Sequence, residues 1–152
     1  MNDDRIDLQW EIEREASFPA EDSIRHWITK ALSELQTSMV ELCVRFVSET
    51  EMQTLNHQYR DKQGSTNVLS FEIGTEDEDG HLLLGDIVIC ADVVNREAME
   101  QNKSMDSHLA HMLIHGILHL QGHDHVEEAQ AKTMESLEIN LLAALGFNNP
   151  YE

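Results

Sequence analysis

A histidine-rich segment constrains this chain more than any other feature, because six of its nine histidines lie between positions 108 and 125. Residues 107–121 have helical spacing, with an apolar stripe at intervals of three and four residues that comprises Leu109, Leu113, Ile117 and Leu120. At about 100° per residue, a separate face of the same helix carries four imidazoles, those of His108, His111, His115 and His119. The sequence therefore predicts an amphipathic helix with a row of histidines.

The later histidines of this segment have the spacing of metal ligands. His115 and His119 lie one turn apart, about 6 Å along the axis, so both rings can reach one small ion. Gly122 is predicted to end the helix, after which the chain can bring His125 over the same point. Three neutral imidazoles bind zinc and leave a fourth position for water, whereas structural zinc sites are closed by four ligands. We therefore expect a catalytic zinc site, which can also accept other first-row divalent ions. His111 and His115 have the same spacing, so that pair is an open alternative.

The bulk properties limit the class of protein. A length of 152 residues with 41% hydrophobic residues predicts a single domain, 1–152. There is no apolar run long enough for a membrane helix and no secretory signal at the acidic N-terminus, so we expect a cytoplasmic protein without a membrane partner. Cys43 and Cys90 each lie in an apolar run, which favours buried thiols in a reducing compartment. The net charge of −19 excludes a generally basic nucleic-acid-binding surface, so a polyanionic ligand would need a local patch.

The order of the predicted elements indicates an α+β fold, a small mixed β-sheet covered by helices, one of which is the metal-binding His-x-x-x-His helix of zincin type. Strands are predicted at 5–10, 40–47, 67–73 and 82–90, and helices at 21–35, 48–59, 91–103, 107–121 and 126–145. The strand at 82–90 is the most apolar, so we expect it to lie centrally in the sheet. Residues 75–80 are acidic and turn-rich, and are predicted to form an exposed hairpin loop.

Another class of enzyme, the metzincin proteases, has the same histidine spacing. In metzincin proteases a glutamate follows the first ligand and serves as the general base, but here that position is Gly116. Loss of this proton acceptor typically costs about 10²–10⁴-fold in rate. Glycine is a poor helix former, so helix stability does not explain it, whereas close approach of another backbone or a substrate would. A zincin-like peptidase with a displaced general base is therefore the less favoured interpretation.

Three blocks of sequence together resemble the YbeY endoribonuclease family, the metal-dependent ribonucleases of bacterial ribosomal RNA maturation. The most specific block is His-Gly-Ile-Leu-His-Leu-Gln-Gly-His-Asp-His at 115–125. A second comprises Tyr-Arg-Asp-Lys at 59–62 and Thr-Asn-Val-Leu-Ser-Phe at 66–71, and the third is Gly-Asp-Ile-Val-Ile at 85–89. The similarity covers roughly positions 40–147. There is one departure, since the residue before Asp124 is commonly tyrosine in the family and is His123 here, which adds a competing candidate ligand.

The resemblance implies a zinc-dependent, single-strand-specific endoribonuclease in late maturation of ribosomal RNA, including the 3′ end of 16S rRNA. It implies single-stranded or ribosomal RNA and the small ribosomal subunit or its proteins as partners. The zinc ligands of the family fall on His115, His119 and His125, and its important arginine falls on Arg60. An arginine suits phosphate because its planar fork binds two oxygens, although a solvated arginine at a helix C-terminus is the alternative. A non-catalytic, metal-stabilised ribosome-assembly factor is the non-enzyme alternative.

Further polar residues are candidates for supporting roles. Asp124 is expected to accept the N–H of a ligand imidazole or to act as general base, with support or N-capping of the last helix as the alternative. Asp86 is expected to bond to backbone at a bulge, with the orientation of a histidine as the alternative. Lys62 is expected to contact the RNA backbone or to be a surface lysine. His108 and His111 are expected to be outer groups of the metal site or surface groups.

Overall fold

The computed structural model describes residues 6–13, 18–33, 40–60, 66–76, 78, 81–121 and 127–151, apart from the side chains of residues 59 and 60. Within these ranges the strands are β1 (Ile6–Trp10), β2 (Val40–Val47), β3 (Val68–Glu76) and β4 (Leu82–Cys90). The helices are α1 (Glu21–Leu32), α2 (Glu49–Arg60), α3 (Ala91–Glu100), α4 (Met105–Leu120) and α5 (Glu128–Ala144). The predicted α+β class is therefore confirmed.

The four strands form one mixed sheet in the order β1-β2-β4-β3. β1 and β4 each pair parallel with β2, whereas β3 pairs antiparallel with β4. The most apolar strand, β4, thus lies between two neighbours, as its composition predicts, because a strand flanked and covered on both faces has little access to water.

Helices cover both faces of the sheet. On one face the inward side chains of β2, Leu42, Val44 and Phe46, join α1, α4 and α5 in the main core. On the other face α2 places Met52 over Leu69 and Val88 in a smaller core. Burial of a large aliphatic side chain contributes roughly 1.5–3 kcal/mol, so the main core dominates the stability of the fold.

Several element ends differ from their predicted positions. β3 runs through Thr75 and Glu76, which were expected in the hairpin loop, because Gly74 adopts φ of 65° where the β3–β4 register shifts. α3 stops at Glu100, since Asn102 takes a left-handed φ of 56°. Helix α2 begins after Ser48, whose hydroxyl accepts the Glu51 N–H at 3.2 Å.

Candidate metal and catalytic site

Helix α4 forms the base of the candidate site. It begins after Ser104, whose hydroxyl accepts the Ser107 N–H at 3.0 Å. The predicted apolar stripe is confirmed, because its four members are at most 2% exposed: Leu109, Leu113, Ile117 and Leu120. The helix is buried on other sides as well, since it contacts α1, α3, α5, β3 and β4. A helix held on so many sides is a rigid support for the side chains at its C-terminal end.

Gly116 lies where α4 meets the sheet. A Cβ atom at this position would be 3.2 Å from Ser70 Oγ and 3.2 Å from Ile87 Cδ1. Close packing thus explains the glycine at position 116. The atoms that lie close to it belong to side chains of β3 and β4, not to the backbone of another segment as one expectation had it. A glutamate at this position would be driven into the sheet, so the general base of the metzincin arrangement has no room here.

The four histidines of α4 differ in exposure along the helix. His108 is 3% and His111 8% exposed, whereas His115 is half-buried and His119 is exposed. The expectation that His108 and His111 are surface groups is therefore wrong. Of the four rings, only those of His115 and His119 lie where a solvent-borne ion or substrate could reach them.

A carboxylate from α5 holds two of these histidines. Glu138 is fully buried, and its Oε2 lies 2.7 Å from His115 Nδ1. Its Oε1 lies 3.2 Å from His111 Nε2 and accepts a hydrogen bond from the hydroxyl of Tyr151. Both oxygens of the buried carboxylate are therefore hydrogen-bonded, which is the condition under which a buried charge is tolerated.

These contacts fix the ionisation of the cluster. Burial raises the pKa of Glu138, but hydrogen bonds from His111, His115 and Tyr151 outweigh it and lower the pKa to about 2. The pKa of Tyr151 is raised by burial and by the hydrogen bond to Glu138. Near neutral pH the cluster thus contains an ionised carboxylate and a protonated phenol.

The carboxylate also determines which nitrogen of each neutral ring carries the proton. A carboxylate only accepts hydrogen bonds, so His115 holds its proton on Nδ1 and has its lone pair on Nε2. Metal-binding histidines typically donate their second ring N–H to a carboxylate in this way. His115 therefore fits a zinc ligand. His111 instead directs Nε2 at Glu138, and its Nδ1 is buried without a hydrogen-bond partner among the described residues. This geometry favours the His115–His119 pair over the His111–His115 pair.

A second carboxylate holds the first histidine of the row. Glu97 on α3 lies 2.9 Å from His108 Nε2 and accepts the Asn67 side-chain amide at 3.0 Å. Burial is the largest influence on the pKa of His108 and lowers it, although the hydrogen bond and the charge of Glu97 act in the opposite direction. His108 and Asn67 thereby join α3, α4 and the start of β3, at the opposite end of α4 from His115 and His119.

Other predicted site residues are only partly covered by the described ranges. α2 ends at Arg60, whose side chain is not among those described, and Lys62, Asp124 and His125 lie outside the described residues. Within those residues, no three histidine, cysteine, aspartate or glutamate side chains converge on one metal position. The N-cap residue of α5 is Glu127, whereas Asp124, for which capping of this helix was an alternative, lies outside the described residues.

Asp86 lies away from the histidines. Its neighbour Ile87 faces α4, so Asp86 projects from the opposite face of β4, where it lines an open pocket of about 660 Å³ with Asp7 and Cys43. The alternative in which Asp86 orients a histidine of α4 is therefore wrong. Cys43 is only partly buried, contrary to expectation, and desolvation together with Asp86 and Asp7 raises its pKa to about 11.

Sequence interpretation missed Glu138 and Tyr151. One signal for Glu138 was available, because it lies on the apolar stripe of α5 with Met134, Leu141 and Leu142, at the spacing i, i+4, i+7 and i+8. A carboxylate on such a stripe needs a buried partner, and the histidine row of α4 supplies it. Tyr151 gave no periodic signal, since it follows the last helix.

Comparisons with known proteins agree with this architecture. The sequence model of the family described as Endoribonuclease YbeY matches residues 8–146, so the similarity extends well before position 40. A protein of Cellvibrio japonicus (strain Ueda107) named Endoribonuclease YbeY is 49% identical over 134 residues, covering 88% of this chain and 76% of its own. The solution structure of TM1509 from Thermotoga maritima is similar with a TM-score of 0.59 and 26% identity, over 93% of this chain and 91% of that one.

The fold and these matches define the class of protein, a hydrolase that acts on RNA. Within that class, the chain belongs to the YbeY endoribonuclease family. Membership favours the nuclease over both the peptidase and the non-catalytic assembly factor. Among the described helices, none combines the length and apolarity needed to cross a bilayer.

Proposed function

We propose that this chain is a zinc-dependent, single-strand-specific endoribonuclease that acts in the cytoplasm on ribosomal RNA, including the 3′ end of 16S rRNA, during assembly of the small ribosomal subunit. The observation that carries the metal assignment is the hydrogen bond of 2.7 Å between His115 Nδ1 and the buried Glu138. It supports His115, together with His119 one turn later and His125, as the ligand set.

The metal, Arg60 and Asp124 have separate proposed roles in the cleavage of RNA. When bound, a zinc ion supplies a Lewis acid for a phosphoryl oxygen and lowers the pKa of a bound water. Arg60 at the end of α2 binds the phosphate through its planar guanidinium, and Asp124 orients a ligand imidazole or accepts a proton. The net reaction is hydrolysis, in which phosphorus gains the oxygen of water, one P–O bond to ribose breaks and the leaving oxygen takes a proton.

Substitutions on α4 and α2 test this proposal. His119→Ala should lose zinc, measured by elemental analysis, and lose cleavage of a single-stranded RNA oligonucleotide. Arg60→Ala should keep zinc and lose about 10- to 100-fold in cleavage, because a hydrogen bond to a charged group contributes roughly 1.5–3 kcal/mol. His26→Ala and Arg96→Ala are the matched controls, since both side chains are exposed and lie outside the proposed site. Full cleavage by His119→Ala, or by zinc-free protein, would contradict the proposal.

The acidity of the chain bears on how RNA is held. A net charge of −19 repels a polyanion, and only a few cations are proposed at the metal site. We therefore expect weak RNA binding that falls steeply with salt, with selectivity supplied by the ribosomal particle or its proteins. Binding of an RNA oligonucleotide should be measured by fluorescence anisotropy across a salt series. Nanomolar binding that is insensitive to salt would refute this expectation.

A further inference from the structure

The buried carboxylate of Glu138 accepts hydrogen bonds from three different groups. Its Oε1 accepts the Tyr151 hydroxyl and the N–H of His111 Nε2, which lies at 3.2 Å, and its Oε2 accepts the N–H of His115 Nδ1 at 2.7 Å. Two histidines one turn apart on α4 therefore turn different ring nitrogens to one anion, Nε2 of His111 and Nδ1 of His115, so the neutral forms of the two rings carry their protons on opposite nitrogens. A role limited to packing would not need this division of protons.

We propose that Glu138 is a positioning residue for the metal site, which fixes His115 in the tautomer whose Nε2 lone pair can bind the ion. The inference rests on the proposed zinc function. It assigns to α5 the role of orienting the first ligand, through a carboxylate with no exposure to solvent. Such carboxylate–histidine pairs fix the ring orientation and raise the basicity of the ligand nitrogen.

The substitution Glu138→Gln tests this role, because it replaces one of the two carboxylate oxygens with an amide nitrogen. Glutamine has one oxygen that accepts and one amide that donates, so it can satisfy only one of the two carboxylate positions. The position of Oε1 receives two donors, from His111 and Tyr151, and therefore retains the oxygen. The amide then faces His115 Nδ1 as a donor. His115 must become an acceptor at Nδ1, which moves its proton to Nε2 and removes the lone pair that would bind zinc.

Zinc affinity of the whole protein is the first measurement. Glu138→Gln should weaken zinc binding by about 10- to 100-fold in a competition titration with a chromophoric chelator. Glu97→Gln is the matched control, because Glu97 also holds a buried histidine of α4 but contacts His108, which is not a proposed ligand. This control should leave zinc affinity unchanged. Equal losses in both variants, with both proteins folded by circular dichroism, would overturn the proposal.

The tautomer of His115 is the second measurement, and its deciding result comes from the wild-type protein. In the metal-free wild-type protein, ¹⁵N chemical shifts of the ring nitrogens should show the proton of His115 on Nδ1 and that of His111 on Nε2. Glu138→Gln should reverse the assignment for His115. A proton on Nε2 of His115 in the wild type would overturn the proposal even if the variant fails to fold.

The two measurements separate this inference from the proposed function. If wild-type protein binds no zinc while His115 still carries its proton on Nδ1, the zinc function is wrong and the positioning of the ring stands. If wild-type protein binds zinc and folded Glu138→Gln binds it equally well, the zinc function stands and the role of Glu138 is wrong.

Discussion

Gly85 lies at the tightest approach between β3 and β4, and Gly85→Ala should disrupt it. A Cβ atom there would be 2.3 Å from the Phe71 carbonyl oxygen, 2.9 Å from Leu120 Cδ2 and 3.3 Å from Glu72 Cα. The carbonyl belongs to the paired backbone of β3, so it cannot rotate away as a side chain would. Gly85 also has a φ of 152°, a backbone angle that residues other than glycine rarely adopt.

The expected loss has two parts. Overpacking costs about 1–3 kcal/mol, and a non-glycine residue in a sparsely populated backbone region costs about 1–3 kcal/mol. We therefore expect Gly85→Ala to lower the free energy of unfolding by about 2–6 kcal/mol, a large share of the roughly 5–15 kcal/mol typical of a domain. The midpoint of urea denaturation measures it, provided that the slope with denaturant is unchanged.

Gly146→Ala is the matched control for this prediction. Gly146 has φ of 90° at the end of α5, but nothing lies within 4 Å of its Cβ position, so alanine there meets backbone strain without a clash. The gain from a stiffer unfolded chain, about 0.4–1 kcal/mol, is common to both substitutions and cancels in the comparison. A loss in Gly85→Ala no greater than that in Gly146→Ala would refute the close approach of β3, β4 and α4.

Three further predictions concern α4 and the sheet. Gly116→Glu should cost more than about 3 kcal/mol in urea denaturation, because overpacking against Ile87 adds to burial of a carboxylate, whereas Gly116→Ala should stay within about 1 kcal/mol. Asp86→Asn should speed alkylation of Cys43 at pH 8, because removing the charge lowers a thiol pKa of about 11; an unchanged rate would contradict this. The pKa of His108, followed by NMR, should lie below 6.5 because burial disfavours the charged ring. The unfolded chain then binds the proton first, so stability should fall as pH drops below 6.5 toward the folded pKa.

Most of the fold could be predicted from local sequence patterns. The alternation of Leu42, Val44 and Phe46 predicts which side of β2 faces the core, and the end of α5 is marked by Gly146, both as observed. Patterns of this kind depend on neighbours within a few residues, so a single sequence contains them. The end of β3 was wrong because a bulge at Gly74 lets the strand continue through residues that look like a loop.

The site was harder to predict because its partners are distant in sequence. His115 and Glu138 are 23 residues apart, and the chain contains 29 aspartates and glutamates, so acidity alone singles out none of them. The apolar stripe of α5 marks Glu138 as a buried carboxylate, but only the packing of α5 on α4 shows that His115 is its partner. The spacing of His115 and His119 is local, so the sequence could identify that pair as candidate ligands. It could not exclude His111 as a ligand, because the burial of that ring and its hydrogen bond to Glu138 depend on the tertiary structure.

The histidine row of α4 divides into parts with different physical roles. His108 and His111 are buried and each contacts a carboxylate, so they tie α4 to α3 and α5. His115 contacts the same carboxylate as His111 but is half-buried, and His119 is exposed. From the N-terminal to the C-terminal end of α4, the histidines that contact a carboxylate come first, and exposure to solvent increases after them. Within the part of the chain that the structure describes, His115 is the ring of this row that both contacts a carboxylate and reaches solvent. Loss of its carboxylate should therefore affect metal binding more than loss of the bond to His108, a comparison that Glu138→Gln and Glu97→Gln make directly.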